Sequence, residues 1–218
     1  MNICGIDEAG RGPVIGPMVI CGVMIDDKDV QQLKNIGVKD SKLLTPRARE
    51  QMAAQIEKVA KYTFQVVTPK EIDETLRSEN SNLNWLEAVR IAMIINELKP
   101  DKAILDCPSN NIAAYKKYLQ AYIENQDTEI EAHHHAESKF EVVAAASILA
   151  KVMRDREVEG IRAATGIDFG SGYSSDPKTR AALEEVLKKH PDILRHEWAT
   201  IKRTKDMKKL SEFDNQKE

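Results

Sequence analysis

Residues 1–16 constrain this chain more than any other stretch: an apolar run ends in Asp7-Glu8, gives way to Gly10-Arg11-Gly12-Pro13, and resumes as a second apolar run. The two runs read as strands, Ile3 to Asp7 and Val14 to Ile25, joined by the Gly-Arg-Gly turn in a hairpin-like start. Side chains alternate between the faces of a strand, so Asp7 and Glu8 point to opposite sides unless the chain bends there, and Gly10 and Gly12 permit a bend. Asp and Glu are rarely buried unless paired or bound to a metal. Oxygen ligands suit magnesium or manganese, which keep several waters and engage substrate phosphates. The competing reading is a strand that frays into a charged turn.

With 218 residues the chain supports one sizeable core and a small appendage. No apolar run approaches the roughly 18 residues of a membrane span, and the N-terminus lacks the order of a signal peptide, so a cytoplasmic, non-membrane protein is expected. Cys4, Cys21 and Cys107 lie far apart in apolar surroundings without CxxC spacing, which predicts buried reduced thiols. The formal net charge is −3, but residues 178–209 carry ten Lys or Arg against five Asp or Glu. A basic end on an acidic body fits a phosphate-contacting surface beside a cation site, although solvated helix faces look similar.

Further along, Thr45-Pro46 opens a helix with Met52, Ile56 and Val59 at helical spacing. A strand is expected over Tyr62 to Val67, a helix from Thr68-Pro69, and a longer one over Leu83 to Leu98, closed by Pro100. Lys102 to Asp106 reads as another strand ending in an acid, followed by a helix over Ile112 to Ile123 and an outer strand over Thr128 to His134. An Ala-rich helix spans Glu141 to Glu159, a Gly- and Ser-rich loop Gly166 to Asp176, and helices Pro177 to Lys189 and Ile193 to Leu210. The expected fold is an α/β sheet covered on both faces.

Asp7 and Asp106 both fall at carboxyl ends of strands, the edge where open α/β sheets bind ligands. If those strands are neighbours, the acids converge on one or two metal ions, and two ions roughly 4 Å apart suit phosphodiester hydrolysis. Arg11 between its glycines puts a cation and exposed backbone beside them. Lys42 offers a second cation near a helix start, and Tyr173 an aromatic for stacking on a sugar or base. The rival readings are a surface turn for Lys42 and a loop tyrosine packed on the body for Tyr173. His133-His134-His135 cannot all face one metal from a strand; they read as edge-strand histidines, with His134 the one able to orient a ligand.

Gly5 to Pro13, Val38 to Leu44, Leu105 to Pro108, Ala144 to Lys151 and Gly170 to Tyr173 together resemble ribonuclease HII, the type 2 ribonuclease H, in its compact archaeal form. The resemblance runs in order from about residue 3 to Trp198. It implies a ribonuclease H-like mixed β-sheet flanked by helices, with a catalytic domain over 1–176 and a helical, substrate-binding region over 177–218. It also implies endonucleolytic cleavage of RNA in RNA/DNA hybrids and at single ribonucleotides in duplex DNA, leaving 5'-phosphate and 3'-hydroxyl ends. Asp7, Glu8 and Asp106 fall on three of the family's four metal-binding carboxylates, for Mg2+ or Mn2+, two per site. Gly10, Arg11 and Gly12 match the element that reads the 2'-hydroxyl. Tyr173 matches the tyrosine that packs on the sugar at the RNA-to-DNA junction, and Lys42 a lysine near the scissile phosphate.

The fourth carboxylate departs from the family. His134-His135-Ala136-Glu137 stands where members usually carry His-Lys-Ala-Asp, so Glu137 keeps the charge and adds a methylene; Phe140-Glu141 likewise replaces Tyr-Pro. The expectation is that Glu137 still ligates and that manganese serves better than magnesium, whose octahedral geometry is strict. Two rivals follow: another ribonuclease H-fold nuclease such as a junction resolvase, or a hybrid-binding protein whose altered carboxylate has impaired catalysis. A monomer is expected. A sliding clamp is a conceivable partner, but no clear clamp motif stands near Leu210 to Phe213.

Overall fold

In the computed structural model, which describes residues 1–39 and 45–204, the first two strands do form an antiparallel pair. β1 (Asn2–Ala9) lies against β2 (Met18–Asp26), and β2 against β3 (Lys61–Val67), also antiparallel. β4 (Lys102–Asp106) joins the other side of β1 in parallel, and β5 (Glu129–His133) is the parallel edge strand beyond it. The order is β3-β2-β1-β4-β5, a mixed sheet with β1 at its centre. That position explains the continuous burial of Ile3 to Asp7.

Helices cover both faces, as expected. On one side lie α1 (Val30–Ile36), α2 (Pro46–Val59) and α6 (Glu141–Thr165), packed on Ile3, Cys21, Val23 and Ile104. On the other lie α3 (Pro69–Arg77), α4 (Leu83–Leu98) and α5 (Ile112–Gln120), packed on Cys4, Ile6, Ala103 and Leu105. The alternation of β1 and β4 between these two cores is the strand period made visible. α6 approaches β1 so closely that a Cβ on Gly5 would fall 2.1 Å from the Val142 carbonyl carbon, which explains the glycine there and the alanines of α6 opposite. All three cysteines are free and buried. Among the described residues no helix is long and apolar enough to cross a membrane.

The helix starts match their sequence signals. Thr45 accepts a hydrogen bond from the Ala48 amide at 3.2 Å, and Thr68 with Glu71 forms a capping box ahead of Pro69.

Four boundaries differ from the sequence reading by three residues or more, and α1 has no counterpart in it. Strand pairing resumes at Met18 rather than Val14, because Val14 and Ile15 give their amides to the Gly172 carbonyl and Ile15 bridges Leu194. α5 ends at Gln120 instead of Ile123, where Asn96 holds the following turn through the Tyr122 carbonyl and the Glu124 amide. α6 continues to Thr165, past Glu159, because Ile161 still packs on a third apolar cluster; Gly166 at φ 69° ends it. The helix expected from Ile193 begins only at residue 199, since Arg195 gives its amide to Val14 and Asp73 takes the amides of His196 and Glu197. α7 (Pro177–Lys189) and this segment rest on the third cluster, which includes Val14, Ile15, Phe169, Leu183 and Ile201.

Candidate active site

β1 and β4 are in parallel register up to Ile6 and Leu105, so Asp7 and Asp106 stand one step further at the same sheet edge and on the same face. That face meets α6. The Asp7 carboxyl is 8% exposed and receives the Glu8 amide at 2.8 Å and the Ser147 hydroxyl of α6. Burial, then the neighbouring Glu8 charge, pushes its pKa up to about 8.

The backbone stays extended through Ala9, and the bend begins at Gly10. Asp7 and Glu8 therefore do diverge. Glu8 turns toward α4 and feels Glu87 there; burial first, and that like charge second, raises its pKa to about 8. Asp106 accepts the Ala136 amide at 2.9 Å, tying the β4 end to the 3-10 turn (Ala136–Ser138) that carries half-buried Glu137. His134 donates from Nδ1 to the Cys107 carbonyl at 3.0 Å, which fixes its ring beside the β4 end.

Gly10 adopts φ +83°, and a Cβ there would come within 2.8 Å of both Arg154 Nε and the Pro17 carbonyl, so only glycine makes this turn. Beyond it the Arg11 guanidinium pairs with the Glu87 carboxylate and donates to Asn84 Oδ1 at 2.6 Å. Tyr173, 37% exposed, reaches back over the same loop, with the Arg154 guanidinium 5.2 Å from its ring centroid. Glu8, Gly10, Arg11, Gly12 and Tyr173 thus line one cleft of about 370 Å³, shared with Arg49, Ser147 and Lys151. Lys42 lies outside the described residues.

The donor chemistry of this edge suits a hard divalent cation. Among the described residues no Lys, Arg or His forms an ion pair with Asp7, Glu8 or Asp106, although the Arg11 charge offsets part of the repulsion on Glu8. The side chains do not enclose an ion by themselves: no three His, Cys, Asp or Glu among the described residues form a ready ligand set. An ion held by one or two carboxylates, waters and a substrate phosphate fits that open arrangement.

Sequence reading missed several contributors. Glu87 is 1% exposed on α4, at the i+4 position between Leu83 and Ile91 on the buried stripe, and an acid interrupting that stripe was a readable signal. Ser147 sits in the Ala-rich helix, where its hydroxyl hydrogen-bonds the Asp7 carboxyl. Arg154 and Arg195, 2% and 0% exposed, look in sequence like any other basic residues of a helix or a tail.

The family model described as Ribonuclease HII matches residues 4–201. Ribonuclease HII of Pyrococcus furiosus is 44% identical over 94% of this chain and 92% of its own length. The crystal structure of ribonuclease H2 from Pyrococcus horikoshii superposes with a TM-score of 0.86 at 41% identity, covering 95% of this chain and 98% of that one. The ribonuclease HII of Archaeoglobus fulgidus, solved in complex with PCNA, gives a TM-score of 0.83 at 38% identity over 91% and 95% of the two chains.

Proposed function

Since this chain belongs to the ribonuclease HII family, and is thereby an endonuclease that hydrolyses RNA paired with DNA, we propose that it also cuts at single ribonucleotides embedded in duplex DNA. The products are a 5'-phosphate and a 3'-hydroxyl. The observation that carries this reading is the sheet edge where Asp7 and Asp106 end adjacent parallel strands, next to a cleft that Glu8 lines together with a glycine-flanked arginine and an exposed tyrosine.

Asp7, Glu8, Asp106 and Glu137 hold the divalent cations, Mg2+ or Mn2+. A pair of such ions supplies an activated water and stabilises the leaving oxygen of a phosphodiester. The Ser147 and Glu8 donors keep the Asp7 carboxyl oriented. Arg11, anchored by Glu87 and Asn84, and the backbone of Gly10 to Gly12 select the ribose, while Tyr173 packs on the deoxyribose that follows. Lys42 serves the scissile phosphate. Residues 1–176 are the catalytic unit, and 177–218 help hold the duplex through their basic side chains. The protein acts as a cytoplasmic monomer. The relative from Archaeoglobus, solved with PCNA, supports a sliding clamp as partner; Leu210 to Phe213 lie outside the described residues.

End-labelled duplexes carrying one ribonucleotide, four ribonucleotides or none test this reading, with each metal in turn. Cleavage at the ribonucleotides and an intact all-DNA duplex are expected. Cutting of the all-DNA duplex supports the junction-resolvase reading, and binding without cleavage in either metal supports the impaired one.

The raised carboxyls also set a pH dependence. Folded Asp7 keeps its proton up to about pH 8, whereas the unfolded chain releases it near its ordinary pKa of 3.8. The folded state therefore binds more protons across that window, and the metal-free protein loses stability as pH rises through it. A divalent cation would offset that buried negative charge. Manganese is expected to raise the melting temperature more at pH 8.5 than at pH 5, and equal shifts at both would contradict metal binding to these acids.

A further inference from the structure

The loop after β1 is held by one segment of the C-terminal region, through its carbonyls. Arg195 donates from Nη2 to the Gly10 carbonyl at 2.6 Å, from Nη1 to Arg11 at 2.8 Å and from Nε to Gly16 at 3.0 Å. Its own amide donates to the Val14 carbonyl at 3.0 Å, and Trp198 Nε1 to Gly12 at 3.2 Å. Arg195 is 0% exposed, with its guanidinium 5.1 Å from the centroid of the Trp198 ring. The segment is itself seated by buried Asp73 of α3, whose two oxygens accept the His196 and Glu197 amides at 2.8 and 2.9 Å.

A fully buried cation is normally matched to a carboxylate. Among the described residues Arg195 forms no ion pair; neutral carbonyls of one loop take its donors instead. The consequence follows from peptide planarity. In a trans peptide unit the C=O and the next residue's N–H point in opposite directions. Fixing the Gly10 and Arg11 carbonyls on Arg195 turns the Arg11 and Gly12 amides away from it. Among the described residues neither of those amides has a protein acceptor, and both residues line the cleft with Glu8 and Tyr173.

We propose that Arg195 is a positioning residue for ribose recognition: it holds the loop carbonyls so that the Arg11 and Gly12 amides are presented as donors to the sugar-phosphate of the ribonucleotide. This rests on the loop reading the ribose, as argued above. Trp198 and Asp73 complete the support. Lysine cannot replace the guanidinium, because one ammonium has no planar fork with which to span the Gly10, Arg11 and Gly16 carbonyls.

The test measures binding by fluorescence anisotropy in EDTA, with the full chain and two duplexes of one sequence, one containing a single ribonucleotide and one all DNA. The parent is expected to prefer the ribonucleotide duplex. Arg195→Lys is expected to reduce that preference about tenfold while all-DNA affinity stays within about twofold, since misaimed donors lose specific hydrogen bonds and not the phosphate attraction. Trp198→Phe, which removes the Gly12 bond and keeps a ring over Arg195, is expected to reduce it about threefold. A general loss of folded protein would lower both affinities alike. An unchanged preference in Arg195→Lys overturns the proposal, and if that variant does not fold, an unchanged preference in Trp198→Phe does so. A parent without any preference overturns instead the reading of the loop, and this role with it.

Discussion

Asp7→Asn is expected to lower cleavage by at least about 10³-fold while the protein still folds and binds an RNA/DNA hybrid, because about 4 kcal/mol of transition-state stabilisation is within what bound cations supply. The side chain keeps its shape and its place against Ser147, so packing is preserved. What it loses is charge. In the metal-free protein that charge is unwelcome: burial and Glu8 hold the Asp7 carboxyl up at about 8. Above that pH the parent carries a buried anion that the variant lacks, so Asp7→Asn is expected to melt higher than the parent at pH 9 in EDTA. Activity and stability then move in opposite directions, the pattern of a functional acid kept at the expense of stability. A variant that loses both together would mark Asp7 as a structural residue.

Glu137→Gln is expected to lower magnesium-supported cleavage by about 10²-fold, in line with the loss of one metal ligand or its close support. Glu137→Asp shortens the arm to the family's usual length, and is expected to raise the magnesium rate relative to the manganese rate. The structural basis is the Asp106–Ala136 hydrogen bond, which fixes the turn bearing Glu137 against the β4 end. Side-chain reach, and not backbone placement, then decides how well Glu137 meets an octahedral ion. Initial rates in each metal for parent, Gln and Asp forms measure both effects. If Glu137→Gln cleaves as well as the parent, Glu137 is not a ligand.

Much of this was legible in the chain because it was encoded locally. Strand ends show as apolar runs stopped by acids, and that pattern located Asp7 and Asp106 before their strands were known to be neighbours. Thr-Pro helix starts and the Ala-rich helix were readable for the same reason. The role of Arg195 was not, since it depends on carbonyls more than 180 residues away in sequence, and for Glu87 the acid in a buried stripe was readable but its Arg11 partner was not. A buried ion pair or a guanidinium on distant carbonyls leaves little local signature. The C-terminal segment shows this most clearly: helical periodicity predicts a continuous helix from Ile193, yet Asp73 and Val14 take its backbone amides and keep residues 195–198 out of the helix. Tertiary hydrogen bonds outweighed local preference there, and the departure is what lets Arg195 reach the loop.

The central claim is that acids remote in sequence gather divalent cations at the β1 and β4 ends. Anomalous diffraction from crystals soaked in manganese tests it most directly. A manganese peak is expected between the Asp7 and Asp106 carboxylates, lost in Asp7→Asn. Peaks only elsewhere on the protein, or none at a concentration that supports cleavage, would contradict it.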